Sequence, residues 1–212
     1  MIIVCEIGQN FVGDMGLAKI LIGFAKLYGA DLVKFQLYDH KKLYNNGSIP
    51  NVELSFEQAK DLFEYGKMLG IEVFFSVFDV ERVRWCEEIG VKRYKIAYKW
   101  RNNRAVVKAV KATGKSIIIS SYKPEFGDTL YCVPKYPAFT EDIDWGLMGL
   151  CDGFSDHTVG MEAVKTALKN GARIIEKHFA INHETGVDAR WSMTPKELKE
   201  LKIWERVVEF TQ

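Results

Sequence analysis

Hydrophobic positions in this chain change period again and again. Stretches with an apolar residue every third or fourth position give way to short continuous apolar runs, and the changeover falls on a glycine. It is visible in "YGADLVKFQLY", "LGIEVFFSVF", "IGVKRYKIAY", "TGKSIIISSY" and "NGARIIEKHF". The longer period marks amphipathic helices, and the continuous runs mark strands buried on both faces. Gly29, Gly70, Gly90, Gly114 and Gly171 fall where a helix closes in the left-handed conformation, which glycine adopts at little cost. The repeating unit is helix, stop, strand.

This pattern predicts eight strands, near 2–7, 31–37, 72–77, 92–97, 116–121, 129–133, 152–155 and 173–178. Helices are predicted over 15–28, 55–69, 79–89, 102–113, 158–170 and 194–210, with a weaker one near 139–149. Ser55 with Gln58 and Thr194 with Glu197 have capping-box spacing, the second with Pro195 at the favoured first helical position. Leu17, Ile20, Leu21 and Phe24 read as the apolar stripe of the first helix. Between the fifth and sixth strands "YKPEFGD" is too short for an ordinary helix, so a bare loop or a neighbouring subunit is expected there. Strict alternation of strand and helix implies a parallel sheet, and eight units with no switch in pattern favour the closed (β/α)8 TIM barrel over an open doubly wound sheet. The class is α/β. That barrel needs roughly 200 residues at its smallest, so residues 1–212 read as a single domain.

Composition narrows the function without naming it. Lys+Arg 29 against Asp+Glu 28 leaves a net charge of +1, which gives no electrostatic case for nucleic acid or a membrane surface. The segment "YKIAYKWRNNR" interleaves aromatics with cations, but a basic strand-to-helix loop is commonplace. Cys5, Cys86, Cys132 and Cys151 are dispersed and form no C-x-x-C pair, so they read as reduced core thiols. "MIIVCEIGQN" lacks the basic start of a signal peptide, and no apolar stretch is long enough to span a bilayer. The cytoplasm is the expected compartment.

The chemistry concentrates at predicted strand ends, where a barrel of this type builds its site. Those ends carry Glu6, Lys34, Gln36, Ser76, Lys95, Ser120, Ser155, His157, Glu176 and His178. In "RIIEKHFA" side-chain alternation points Glu176 and His178 one way and Lys177 the other. Each residue has a bland explanation: a paired lysine, a serine cap, or His157 capping a helix that starts near Thr158. Jointly those explanations would have to gather cations, acids and histidines at one end of a barrel, and a site is the better account. Two neutral imidazoles from adjacent strands with carboxylates nearby suit Mn²⁺, Zn²⁺ or Fe²⁺, and carboxylate and water ligands would shift the choice to Mn²⁺ or Mg²⁺. Two lysines with three serines suit a phosphate or carboxylate. Together they indicate chemistry on a phosphorylated or keto-acid substrate.

In the stretches "EIGQN", "GADLVKFQLY", "RYKIA", "TGKSIIIS", "GFSDHTVG", "IIEKHF" and "GVDARWSMTPKEL" the chain resembles the N-terminal barrel of the sialic acid synthase family. That family includes the N-acetylneuraminate, legionaminate and spore-coat polysaccharide synthases. The resemblance runs from Glu6 to Leu198. It implies a metal-dependent condensation of phosphoenolpyruvate with an aldose such as N-acetylmannosamine, giving a 2-keto sugar acid and phosphate. It further implies that His157 and His178 hold Mn²⁺, with Mg²⁺ as the alternative. Lys34, Gln36, Ser76, Ser120, Ser155 and Asp188 would bind substrate, with Glu6, Glu176 and Lys95 as catalytic groups.

The implied partners are small molecules only, phosphoenolpyruvate and an amino sugar, with a homo-oligomer or a separate lid-supplying chain in place of the family's C-terminal antifreeze-like domain, which has no counterpart before Gln212. Several positions depart from the family. Tyr98, Lys99 and Trp100 follow "YKIA" where a serine and an acid are usual, Phe11 follows Asn10 in place of histidine, Ser121-Tyr122-Lys123 stands for Thr-Gly-Met, and Cys132-Val133-Pro134 replaces a polar run. Two other readings fit the same residues: a metal-dependent aldolase or lyase on another keto acid, and a non-catalytic barrel that binds a sugar or a partner protein.

Overall fold

The computed structural model describes residues 1–44 and 51–209. Eight parallel strands, β1 (Ile2–Gly8), β2 (Leu32–Leu37), β3 (Glu72–Val77), β4 (Arg93–Ile96), β5 (Ser116–Ser121), β6 (Asp128–Cys132), β7 (Gly153–Asp156) and β8 (Ile174–His178), pair in sequence order and close as β8 meets β1. The helices are α1 (Met15–Leu27), α2 (His40–Leu43), α3 (Phe56–Leu69), α4 (Val80–Ile89), α5 (Arg104–Ala112), α6 (Trp145–Met148), α7 (Glu162–Lys169) and α8 (Pro195–Glu209). The predicted (β/α)8 barrel is therefore the observed one.

Local chemistry explains most of the boundaries. The five helix-closing glycines all take positive φ. Ser55 and Gln58 form a reciprocal capping box at α3, and Thr194 and Glu197 exchange the same bonds at α8. β5 and β6 are joined by residues 122–127 with no helix between them. Gly8 (φ +54°) ends β1 with a register shift, and a Cβ there would meet Glu6 Oε1 at 2.8 Å. Any larger residue would thus press on a side chain of the barrel mouth.

Four expectations need correction. The helix predicted from 158 starts at Glu162, because Asp156 takes the Thr158 amide at 2.8 Å and Lys177 takes the Thr158 carbonyl at 2.7 Å, fixing a turn that runs through Gly160 at φ +78°. The weaker helix near 139–149 is a 3₁₀ turn at Thr140–Asp142 followed by the single-turn α6. The sequence reading had no counterpart for α2. In α1 the buried face is Ala18, Leu21, Ile22 and Ala25, with Ile20 52% exposed; the small alanines let the helix lie close to the barrel, which rotates the stripe by about one position.

The apolar core has two parts. A large cluster lies between the strands and the helices, and a small one of Val4, Leu32, Phe74, Ile118, Leu130 and Ile174 fills the barrel lumen. Strand parity places the next inward residues toward the C-terminal end, and there the lumen turns polar, with Glu6, Lys34, Ser76, Lys95, Ser120, Ser155 and Glu176 all buried. The barrel is an apolar plug beneath a polar layer.

Candidate functional site

The polar layer is one connected network. Lys34 forms an ion pair with Glu6, donates to Ser76 Oγ at 2.9 Å and lies 3.8 Å from Glu176 Oε2. Across the barrel Lys95 donates to Glu176 Oε1 at 2.5 Å, and Ser155 donates to the same oxygen at 3.0 Å. Gln36 donates to Glu6 Oε1 at 2.9 Å. Ser120 lines the same small cavity, of about 50 Å³, with Cys132 beside it. Two cations face two anions, so the floor is close to neutral. Both lysines expected to meet an anion are matched by carboxylates in the structure, because burying two uncompensated ammonium groups is prohibitive.

The charges are not equivalent. Burial would raise the Glu176 carboxyl, but the ammonium groups of Lys34 and Lys95 and the donated hydrogen bonds hold it well below the usual carboxylate range. Burial would lower Lys34, but Glu176 and Glu6 more than offset it, so its pKa is raised. At Lys95 burial wins over the attraction of Glu176, with the Lys34 charge adding to the lowering. Of the two lysines, Lys95 releases its proton more readily.

Above this floor stand His157 and His178, with ring centroids 5.8 Å apart. His157 Nδ1 lies 2.8 Å from the Val133 carbonyl, a contact that is a hydrogen bond only if Nδ1 carries the proton, which leaves the Nε2 lone pair free. Burial, then the neighbouring His178, pushes its pKa down to about 3, so the ring is neutral at physiological pH. The helix-cap reading of His157 is excluded, since α7 begins five residues later. His178 Nδ1 is buried without a hydrogen-bond partner and faces Asp188 Oδ2 at 3.4 Å. Asp188 comes from the loop after β8, held by Asn10, which accepts the Asp188 amide at 3.0 Å and donates to Phe179 O and Ser192 Oγ.

Among the described residues no three His, Cys, Asp or Glu side chains cluster as a metal cage. Two buried imidazoles, one neutral with its tautomer fixed and one with an orphaned nitrogen, fit an ion that takes its other ligands from water or substrate. Lys177, the outlier of the "EKH" triplet, points away from the lumen to a buried pair with Asp156 Oδ2 at 2.5 Å. It ties β8 to β7 on the helix side.

Several lining residues escaped the sequence reading. Tyr136 packs against His157 in a tilted arrangement with centroids 4.2 Å apart, next to a cis bond to Pro137. An outer cavity of about 670 Å³ opens above the histidines, walled by Tyr44, Phe78, Tyr98, Trp100 and Tyr136, with Gln9, Gln36, Lys99, Arg101 and Asp188 among its polar groups. Tyr44 adjoins α2 and Tyr136 sits in a loop, where periodicity is silent. Only the departure at Tyr98, Lys99 and Trp100 was a signal in the chain itself.

Comparison with known proteins places this arrangement. The family model described as the NeuB family matches residues 21–129 and 127–210. The chain belongs to the NeuB family. This NeuB family barrel is 30% identical over 237 residues to the uncharacterized protein MJ1065 of Methanocaldococcus jannaschii, covering 98% of this chain and 70% of that protein. It is 32% identical over 247 residues to the N,N'-diacetyllegionaminic acid synthase of Legionella pneumophila, covering 94% of this chain and 69% of the relative. The sialic acid synthetase structure from Leptospira borgpetersenii superposes with a TM-score of 0.90 at 28% identity, over 99% of this chain and 84% of that one. Both sequence alignments are longer than the 212-residue chain, so these relatives carry insertions that this NeuB family member lacks. No helix among the described residues is long and apolar enough to cross a membrane.

Proposed function

We propose that this enzyme condenses phosphoenolpyruvate with an aldose to give a 2-keto sugar acid and phosphate, in keeping with named relatives that are sugar-acid synthases. The observation that carries the reading is the joining of Lys34, Lys95, Glu6, Glu176, Ser76 and Ser155 in one buried network, with Ser120 lining the same cavity, directly beneath two buried histidines. Lys34, Lys95, Ser76, Ser120 and Ser155 receive the phosphate and carboxylate oxygens. His157 and His178 would hold a divalent ion, Mn²⁺ first and Mg²⁺ second, which when bound would supply Lewis-acid polarisation of the aldehyde oxygen.

Carbon 3 of phosphoenolpyruvate bonds to the aldehyde carbon, whose oxygen gains a proton. Water adds at carbon 2 and loses one proton as it bonds; the bond from carbon 2 to the phosphate oxygen then breaks, and the second proton of that water departs with the phosphate as the 2-keto group forms. Lys95, with its lowered pKa, supplies the proton to the nascent hydroxyl. Glu6, reached by Gln36 and Lys34, takes the proton from water. Glu176 remains ionised and keeps both ammonium groups in place. Gln36 and Asp188, which line the outer cavity, orient the sugar.

The deciding experiment is calorimetric titration of phosphoenolpyruvate with and without Mn²⁺, followed by phosphate release on adding aldoses. Mn²⁺-dependent binding and aldose-dependent release are expected. Metal binding without phosphoenolpyruvate binding would overturn the reading and move the search to other keto acids.

A further inference from the structure

Behind the two histidines lies a buried ion pair that the proposed reaction does not use. The β7–β8 ladder ends with Ser155 beside Glu176 and then Asp156 beside Lys177, the first pair facing the lumen and the second the helices. The next residue of each segment is a histidine, His157 and His178. His178 still lies in the sheet, in register with Glu6 of β1, and its carbonyl accepts the Met193 amide at 2.7 Å. His157 lies one residue beyond β7. Its carbonyl accepts the Ala138 amide at 3.0 Å, and both of its chain neighbours are held by one ammonium. Lys177 Nζ donates to Asp156 Oδ2 at 2.5 Å and to the Thr158 carbonyl at 2.7 Å, while Asp156 Oδ1 accepts the Thr158 amide at 2.8 Å. Lys177, the residue before His178, thus brackets His157 on both sides.

Asp156, Lys177 and Thr158 are 0%, 1% and 3% exposed. An ion pair that deep is a poor source of stability, because a well-packed apolar pair of similar volume often serves as well or better. What it supplies is direction: an ammonium satisfied by two particular oxygens fixes the chain on either side of His157 relative to β8. Resting on the reading above, in which His157 and His178 hold a divalent ion, we propose that Asp156 and Lys177 are positioning residues that set the separation and height of the two imidazoles for that ion. The bond from His157 Nδ1 to the Val133 carbonyl orients the ring, and the ion pair sets where the ring stands. Neither charged group touches the lumen, so their influence reaches the site only through the backbone of the two strands.

The test separates position from stability. Asp156→Asn/Lys177→Met removes both charges together, so no lone ion is left buried, and the asparagine oxygen can still accept the Thr158 amide. The control, Glu72→Gln/Arg93→Met, removes an ion pair of 2.6 Å between the first residues of β3 and β4, at the opposite end of the barrel. Calorimetric titration with Mn²⁺ should show a dissociation constant raised by about 10- to 100-fold in the first variant. The control should stay within about twofold of wild type, as expected of a distant, independent site, and urea unfolding of both variants reports the structural cost alone. Unaltered affinity in the first variant, or equal weakening in both, would overturn the positioning role while leaving the ion site intact. Should the double variant not fold, Asp156→Asn alone keeps the shape of the pair and the Thr158 cap, and it should still weaken Mn²⁺ by about 10-fold; wild-type affinity there rejects the role. Wild-type protein that takes up no Mn²⁺ would fail the ion site itself and the positioning role with it, a result distinct from tight binding in wild type and variant alike.

Discussion

The floor and the mouth of this barrel solve the problem of charge in opposite ways. On the floor every ammonium has a carboxylate or hydroxyl within reach, and Lys34, Lys95, Glu6 and Glu176 are each almost completely buried. At the mouth Arg101 rests on tyrosine rings and Lys99 is exposed, with no ion pair among the described residues. Burial makes pairing obligatory in the first region, while solvent makes it optional in the second. Charges on the floor therefore hold the structure together, whereas those at the mouth rest on solvent and aromatic packing.

Substitutions at the two levels should separate accordingly. The largest effect is expected for Glu176→Ala, which strands Lys95 and leaves Lys34 to Glu6 and Ser76; thermal or urea unfolding should show a loss of about 3–5 kcal/mol. A loss under about 1 kcal/mol would mean the floor is wetter than its burial indicates. His157→Ala should cost at least about 100-fold in phosphate release and weaken Mn²⁺ binding by calorimetry, and chelation of the wild-type enzyme should reproduce the activity loss; an active variant would remove His157 from the site. Ser155→Ala deletes one bond to Glu176 and should lower stability by roughly 1.5 kcal/mol, read from the urea midpoint. Smallest is Lys99→Ala, whose melting curve should shift by no more than about 0.5 kcal/mol. A mouth variant as destabilising as Glu176→Ala would erase the distinction.

Much of the barrel was legible because its signals are local. Glycines after amphipathic runs, capping boxes and continuous apolar stretches each report within a few residues, and all eight strands fell close to their observed positions. Strand parity likewise put Glu176 and His178 on the lumen side and Lys177 outside. What parity could not give was partnership. Lys95 and Glu176 are 81 residues apart, and only closure of the barrel shows that they neutralise each other. The late start of α7 depended on a bond from Lys177 back to Thr158, again across strands. Tyr136 and Arg101 sit in loops, whose path is set by packing and hydrogen bonds instead of periodicity, so the upper cavity stayed invisible until the chain was folded.

The apolar plug of Val4, Leu32, Phe74, Ile118, Leu130 and Ile174 makes the barrel a vessel with one door. The cluster fills the lumen below the polar layer, so the way to the floor runs past Tyr136 and the outer cavity. For the two reactants proposed above, such a vessel would impose a queue: the one destined for the floor would have to enter first, and what remains of it could leave only after the upper occupant.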